Sequence, residues 1–152
     1  MKISTKGRYG ARAMLELAAS YDERLVPAAE VASNQGISLK YLESLLVSLK
    51  SAGLVISERG KRGGYSLARP PSEISMYDVL GSLEDSLDFV YCTEKPHGCE
   101  RLELCVTRQV WIELKRATDR ILKRTYLDDL LERQKALGEQ RAHAEYVIEG
   151  AE

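Results

Sequence analysis

Between Lys6 and Tyr21 a residue of one face returns every fourth position, at Tyr9, Ala13, Leu17 and Tyr21, with Met14 and Ala18 beside them. That spacing predicts an amphipathic helix. A second helix is predicted to begin at Pro27, because proline's missing amide is not needed at the first helical position. It turns Ala28, Val31 and Ala32 inward and stops at Gly36, a residue suited to a left-handed cap. Ile37 crosses a tight turn, and Ser38 can cap a third helix by accepting from its free amides. In that third helix Leu42, Leu45, Leu46 and Leu49 form an unbroken apolar stripe, closed by Gly53. Lys40, Tyr41, Glu43, Ser44 and Ser48 make the polar opposite face. Two short helices about a glycine turn, the second polar outside, describe a helix-turn-helix.

Two short strands follow, Val55 to Glu58 and Tyr65 to Ala68, joined by Arg59-Gly60-Lys61-Arg62-Gly63-Gly64. Glycines permit a tight loop there, and Arg59, Lys61 and Arg62 can meet phosphates or enter a minor groove. A basic hairpin placed directly after a recognition helix reads as a wing. Further on, Ser75-Met76-Tyr77-Asp78 resembles a capping start for a short helix with Val79, Leu80 and Leu83 inward. From Val106 the apolar positions Val110, Leu114, Ala117 and Ile121 keep helical spacing over four turns, with Trp111 and Leu122 alongside. A seam of that length exceeds what a small winged helix can cover, so it predicts a partner helix and a homodimer. Thr125 is expected to cap a further short helix bearing Leu127, Leu130 and Leu131, with a polar, frayed tail after about Leu137. The fold expected is mainly α: a winged helix-turn-helix with a small β-hairpin wing over 1–85, a cysteine loop over 86–105, a dimerisation helix with a following short helix over 106–135, and a tail over 136–152.

Composition narrows the class. An apolar content of 44% and a charged content of 30% over 152 residues describe an ordinary folded protein. No run approaches the roughly 20 apolar residues of a membrane span, and Met1-Lys2-Ile3-Ser4-Thr5-Lys6 has no apolar stretch behind its lysines. A cytoplasmic location and no membrane association are the expectation. Net charge is −1, but residues 1–70 hold eleven Lys/Arg against six Asp/Glu, while residues 71–152 hold eleven against seventeen. A basic front and an acidic back suggest that the front alone meets a polyanion, a double-stranded DNA operator.

All three cysteines fall in one stretch, at Cys92, Cys99 and Cys105, with six and then five residues between them. In a reducing compartment such clustering points to metal or redox chemistry. Pro96, Gly98 and charges of both signs mark a loop. Thiolates are soft donors suited to iron–sulfur clusters or zinc. Zinc sites prefer pairs two to four residues apart, so the wider gaps favour a larger cluster, with zinc and thiol redox chemistry left open. An enzyme using Cys99 or Cys105 with His97 would need an oriented base and a pocket. Neither triad spacing nor a nucleotide-binding glycine loop is present, so no catalysis and no small-molecule substrate are expected.

Several ordered motifs carry a family resemblance. They are Met1-Lys2-Ile3-Ser4-Thr5-Lys6-Gly7-Arg8-Tyr9; Gly36-Ile37-Ser38 with Tyr41-Leu42-Glu43; Gly53-Leu54-Val55; and Arg59-Gly60 through Gly63-Gly64-Tyr65. Over about residues 1–135 the chain resembles the IscR-type family of bacterial regulators, which also contains NsrR and CymR. The resemblance implies a dimeric winged-helix transcription factor paired through the long helix. It also implies an iron–sulfur cluster, of the 2Fe-2S kind, on Cys92, Cys99 and Cys105, and control of cluster-biogenesis genes. CymR-type relatives lack the cysteine trio. Two departures stand out: the first gap is one residue longer than usual, and neither known fourth ligand is present. The IscR branch places a histidine where this chain has Arg108, and the NsrR branch takes an acid from the partner's first helix where this chain has Arg8. A guanidinium cannot donate to iron, which leaves His97, Glu94, Glu100 and Glu103 as candidates, His97 being the best donor type. Alternatives are a CymR-like regulator of cysteine and sulfur metabolism and an NsrR-like nitric oxide sensor. For DNA the candidates are Ser38, Lys40, Tyr41, Glu43, Ser44, Arg59, Gly60, Lys61 and Arg62. A carboxylate on a recognition helix repels phosphate but can accept from a cytosine amino group; in IscR-like proteins the acid matching Glu43 tunes operator class.

Overall fold

The structure, a computed structural model, describes residues 3–60, 62–94, 99, 101–102 and 104–149, with 94 and 140–149 described through their backbone alone. Helix α1 (Thr5–Ala19) is capped by Ser4, whose hydroxyl accepts from the Gly7 amide at 3.1 Å. The same serine donates from its amide and hydroxyl to Glu84 Oε1, at 2.9 and 2.8 Å. That carboxylate lies 80 positions away, at the end of α4 (Met76–Leu83). Gly7 and Gly10 are buried where α1 meets α4, and a Cβ on either would collide with Glu84 or Leu83. The fourfold spacing marks the α1 face, but the seating of the Glu84 and Leu83 side chains over two glycines is not revealed by spacing.

Helices α2 (Ala28–Gln35) and α3 (Leu39–Ser51) are joined by Gly36 at φ 64° and by Ile37, whose amide returns to the Ala32 carbonyl at 3.0 Å. Ser38 caps α3, accepting from the Tyr41 amide at 3.2 Å. Leu42, Leu45, Leu46 and Leu49 are all buried against Met14, Leu17, Val31 and Val79, so the predicted leucine stripe is the centre of the core. Glu16 fixes the angle between α1 and α2 by accepting from the side-chain amides of Asn34 and Gln35, each at 2.6 Å.

Strands β1 (Val55–Glu58) and β2 (Gly64–Leu67) pair antiparallel in the register Val55 with Leu67 through Glu58 with Gly64. Val26 adds an isolated antiparallel bridge on the other edge of β2, exchanging two backbone hydrogen bonds of 2.9 Å with Tyr65. Ser75 and Asp78 form a reciprocal capping box at the start of α4, as the sequence suggests.

Beyond this body the chain forms a short helix α5 (Tyr91–Glu94) and the long α6 (Val106–Arg124), then α7 (Leu127–Glu149). Two expectations fail here. Thr125 does not cap α7: it ends α6, where its hydroxyl donates to the Ile121 carbonyl at 2.8 Å, and Asp129 accepts from the Tyr126 amide at 2.9 Å instead. Nor is α7 short, since its 23 residues run through much of the segment expected to fray. Its first turn returns to the body. The Leu127 amide donates to the Ile74 carbonyl, Met76 donates to the Thr125 carbonyl, and the Leu127 side chain is fully buried in the same core as α1 to α4. Long-range docking of this kind leaves no trace in local periodicity. No helix among the described residues is long and apolar enough to cross a membrane.

Candidate nucleic-acid interface and cysteine segment

The leucine stripe of α3 packs inward, so the opposite face must point away from the body. Lys40, Glu43 and Ser44 are exposed there, and Ser38 is exposed at the cap. Ser38 accepts with its oxygen and keeps its hydroxyl proton for an outside acceptor. The Ser44 hydroxyl donates to the Tyr41 carbonyl at 2.6 Å, so in this state it offers lone pairs outward. Tyr41 is half-buried with its ring edge-on to Tyr9 at 6.2 Å, and Tyr9 in turn lies under the Arg12 guanidinium. Of the α3 candidates it is the most committed to the body.

Arg59 and Arg62 are exposed on the wing loop and make no ion pair among the described residues. Gly60 holds φ 121°, a conformation that L side chains resist. Lys61 lies outside the described residues. A contact the sequence did not suggest joins reader and wing: Lys50 Nζ donates to Ser57 Oγ at 2.5 Å. Wing and α3 therefore present one face. Arg59→Ala should weaken duplex binding about uniformly across sequences and flatten the plot of log K against log salt by about 0.9 per half-site. Fluorescence anisotropy at several salt concentrations reads this. An unchanged slope and affinity would remove the wing from the interface.

The cysteines are free and half-buried. Cys92 lies in α5, and Cys105 occupies the N-cap position of α6. Arg108 Nε donates to the Cys92 carbonyl at 3.4 Å, tying the two ends of the segment together. The Cys105 thiol is held below its usual range, first by the Thr107 hydroxyl 3.3 Å away and then by the Arg108 amide, with burial opposing. The start of a helix favours thiolate for the same electrostatic reason. Among the described residues no three His, Cys, Asp or Glu side chains converge on one point. His97, Glu100 and Glu103 lie outside the described residues, and so does the side chain of Glu94. Arg8 is exposed and Arg108 half-buried.

A polar joint attaches α6 to the body. Lys115 Nζ, held by both carboxylate oxygens of Asp119 in the same helix at 2.9 and 2.8 Å, reaches across to Asp88 at 4.0 Å. Two turns beyond Lys115, Lys123 Nζ sits 4.5 Å from the centre of the Tyr77 ring of α4. The predicted seam faces elsewhere: Val106, Val110, Leu114 and Ile121 are between 41% and 75% exposed, an apolar strip along one side of α6.

A helix-turn-helix backed by a leucine core, with a basic hairpin locked beside its second helix, defines a winged-helix DNA-binding protein, the class of many transcription regulators. The chain belongs to the Rrf2 family, described as iron-dependent transcriptional regulators, which it matches over residues 3–133. It is a DNA-binding transcription regulator. It is similar to the HTH-type transcriptional regulator IscR of Aliivibrio salmonicida, at 40% identity over 131 residues covering 86% of this chain and 77% of that protein. Among solved structures, CymR, the global cysteine regulator of B. subtilis, superposes with a TM-score of 0.75 at 37% identity, over 87% of this chain and 97% of that one. IscR of T. potens gives 0.72 at 39% identity over 88% of each chain. Relatives of both names stand at similar distance, so the sensed signal has to be argued from the cysteine segment.

Proposed function

We propose that this chain is a homodimeric regulator whose operator affinity or operator choice follows occupancy of an iron–sulfur cluster, of the 2Fe-2S kind, on Cys92, Cys99 and Cys105. Control of cluster-biogenesis genes is the matching role. One observation carries the reading: every cysteine of the chain is a free, partly accessible thiol on one short segment ending at the cap of the long helix. Three soft sulfur donors fit the group chemically. The segment would have to draw its thiols together around it, because the described side chains do not already converge. A cluster there would supply chemistry sensitive to iron supply, oxidants and nitric oxide.

The chain's own residues supply the rest. Arg108 holds the end of α5 to the first turn of α6 through the Cys92 carbonyl. Lys115 of α6 reaches Asp88 on the segment leading from α4, while Asp119 one turn on in the same helix orients the lysine. The exposed seam of Val106, Val110, Leu114, Ala117 and Ile121 is the surface for a second copy, which would set two α3 helices on a pseudo-palindromic duplex. A change at the cysteine segment would then alter the spacing and tilt of the paired readers, with a coupling of about five- to 150-fold in affinity.

The experiment is anaerobic purification with iron and sulfide quantitation and duplex binding before and after cluster removal. Visible absorption that Cys92→Ala abolishes, together with a shift in operator affinity, supports the proposal. A colourless protein with full operator binding leaves a CymR-like regulator of sulfur metabolism, a reading favoured by Arg108 in place of a histidine ligand and by the CymR superposition.

A further inference from the structure

Val47 is the most exposed large apolar residue of α3, and neither the core nor the candidate DNA contacts explain it. It is 66% exposed, more than any other large apolar side chain among the described residues up to position 90, where Ile56, Ile3 and Leu39 reach 46%, 42% and 42%. It belongs neither to the buried core nor to the apolar side chains packed against it. A β-branched residue also loses side-chain freedom in a helix, so at an exposed position Val47 gives the isolated fold nothing.

Its neighbours give it a context. Lys40, Ser44 and Val47 fall at helical spacing on the face opposite the leucine stripe, with Glu43 one turn before Val47. Val47 also lines the groove between α3 and the wing, together with Lys50, Ser57 and Arg59. It is an apolar island on a face of cations and hydrogen-bonding groups. That face is built for a polyanion, and in a major groove the apolar feature that distinguishes one base from another is the C5-methyl of thymine.

We infer that Val47 is a specificity-determining residue that reads a thymine methyl in the operator. The inference rests on α3 being the reader, and it is independent of the cluster. One turn of helix separates Val47 from Glu43, a rise of about 6 Å, and base pairs stack about 3.4 Å apart. The thymine therefore lies within about two base pairs of any cytosine whose amino group donates to Glu43.

The test uses an operator that the full-length wild-type protein selects from a random duplex pool. Each thymine is then replaced singly by uracil, which removes the methyl and keeps every hydrogen-bonding group. Binding is measured for the wild type and for Val47→Ala, whose urea midpoint should equal or slightly exceed the wild type, because the site is exposed and alanine is the better helix former. At one thymine per half-site, the wild type should lose about fourfold on the uracil duplex, the equivalent of about 0.8 kcal/mol for one carbon. Replacing both should cost about fifteenfold. Val47→Ala should bind the thymine duplex as weakly and no longer distinguish the two bases. If no replacement weakens the wild type by more than twofold, or if Val47→Ala keeps the full discrimination, the inference is overturned. If the wild type enriches no sequence at all, the assignment of α3 as reader falls first and the inference with it.

Discussion

Replacing Leu42 with Ala is expected to lower stability by about 2–5 kcal/mol, the range for deleting a fully buried leucine from a packed core. Leu42 is completely buried, and with Leu45, Leu46 and Leu49 it carries α3 on the side chains of α1, α2 and α4. The total stability of a domain this size is about 5–15 kcal/mol, so the substitution removes a large share of it. With a urea dependence of about 1–3 kcal/mol per molar, the midpoint should fall by about 0.7 M or more at fixed protein concentration. Operator binding should vanish with the fold rather than before it. Because the helix that reads DNA is the one that fills the core, reader geometry and stability cannot be separated at this position. A midpoint within a few tenths molar of wild type would mean that α3 is not seated as described.

Gly64→Ala is expected to produce the second large effect, confined to the wing. A Cβ at Gly64 would lie 2.7 Å from the Val26 carbonyl oxygen and 2.8 Å from its carbon. Both are backbone atoms, so no side chain can swing aside to make room. Relief requires separating Val26 from Tyr65, which breaks their two reciprocal hydrogen bonds. Leaving such groups unsatisfied costs about 1–3 kcal/mol each. The helices should keep their far-ultraviolet signal while the Tyr65 amide loses protection from hydrogen exchange, and duplex affinity should fall at least as far as for Arg59→Ala. If the Tyr65 amide stays protected, the hairpin is held to the body by other means.

Much of this was legible along the chain because its physics is local. The fourfold spacing from Tyr9, the leucine stripe of α3, the Ser38 cap, the capping box at Ser75 and the glycine-rich basic hairpin each use residues within a few positions of one another. Spacing of that kind is set by helix and strand geometry, and the structure reproduces it at these elements. The misses are of the opposite kind. Glu84 pinning Ser4, Glu16 bridging to Asn34 and Gln35, and Leu127 entering the core under α1 are contacts between distant positions. Nothing in the periodicity of either partner announces them.

For the site the division is similar. The sequence by itself determined the three thiols in one segment, the basic front half, the helix-turn-helix with its wing, and the absence of a histidine at Arg108. Composition and order are enough for those. Only the tertiary structure decided that Tyr41 is turned toward Tyr9, that Lys50 and Ser57 lock the wing to the reader, that Arg108 closes the ends of the cysteine segment, and that Val47 stands uncovered among cations. The physical reason is that exposure and hydrogen-bond partnership are properties of a packed surface. They come into being when distant parts of the chain exclude water together, and no window of neighbouring residues contains them.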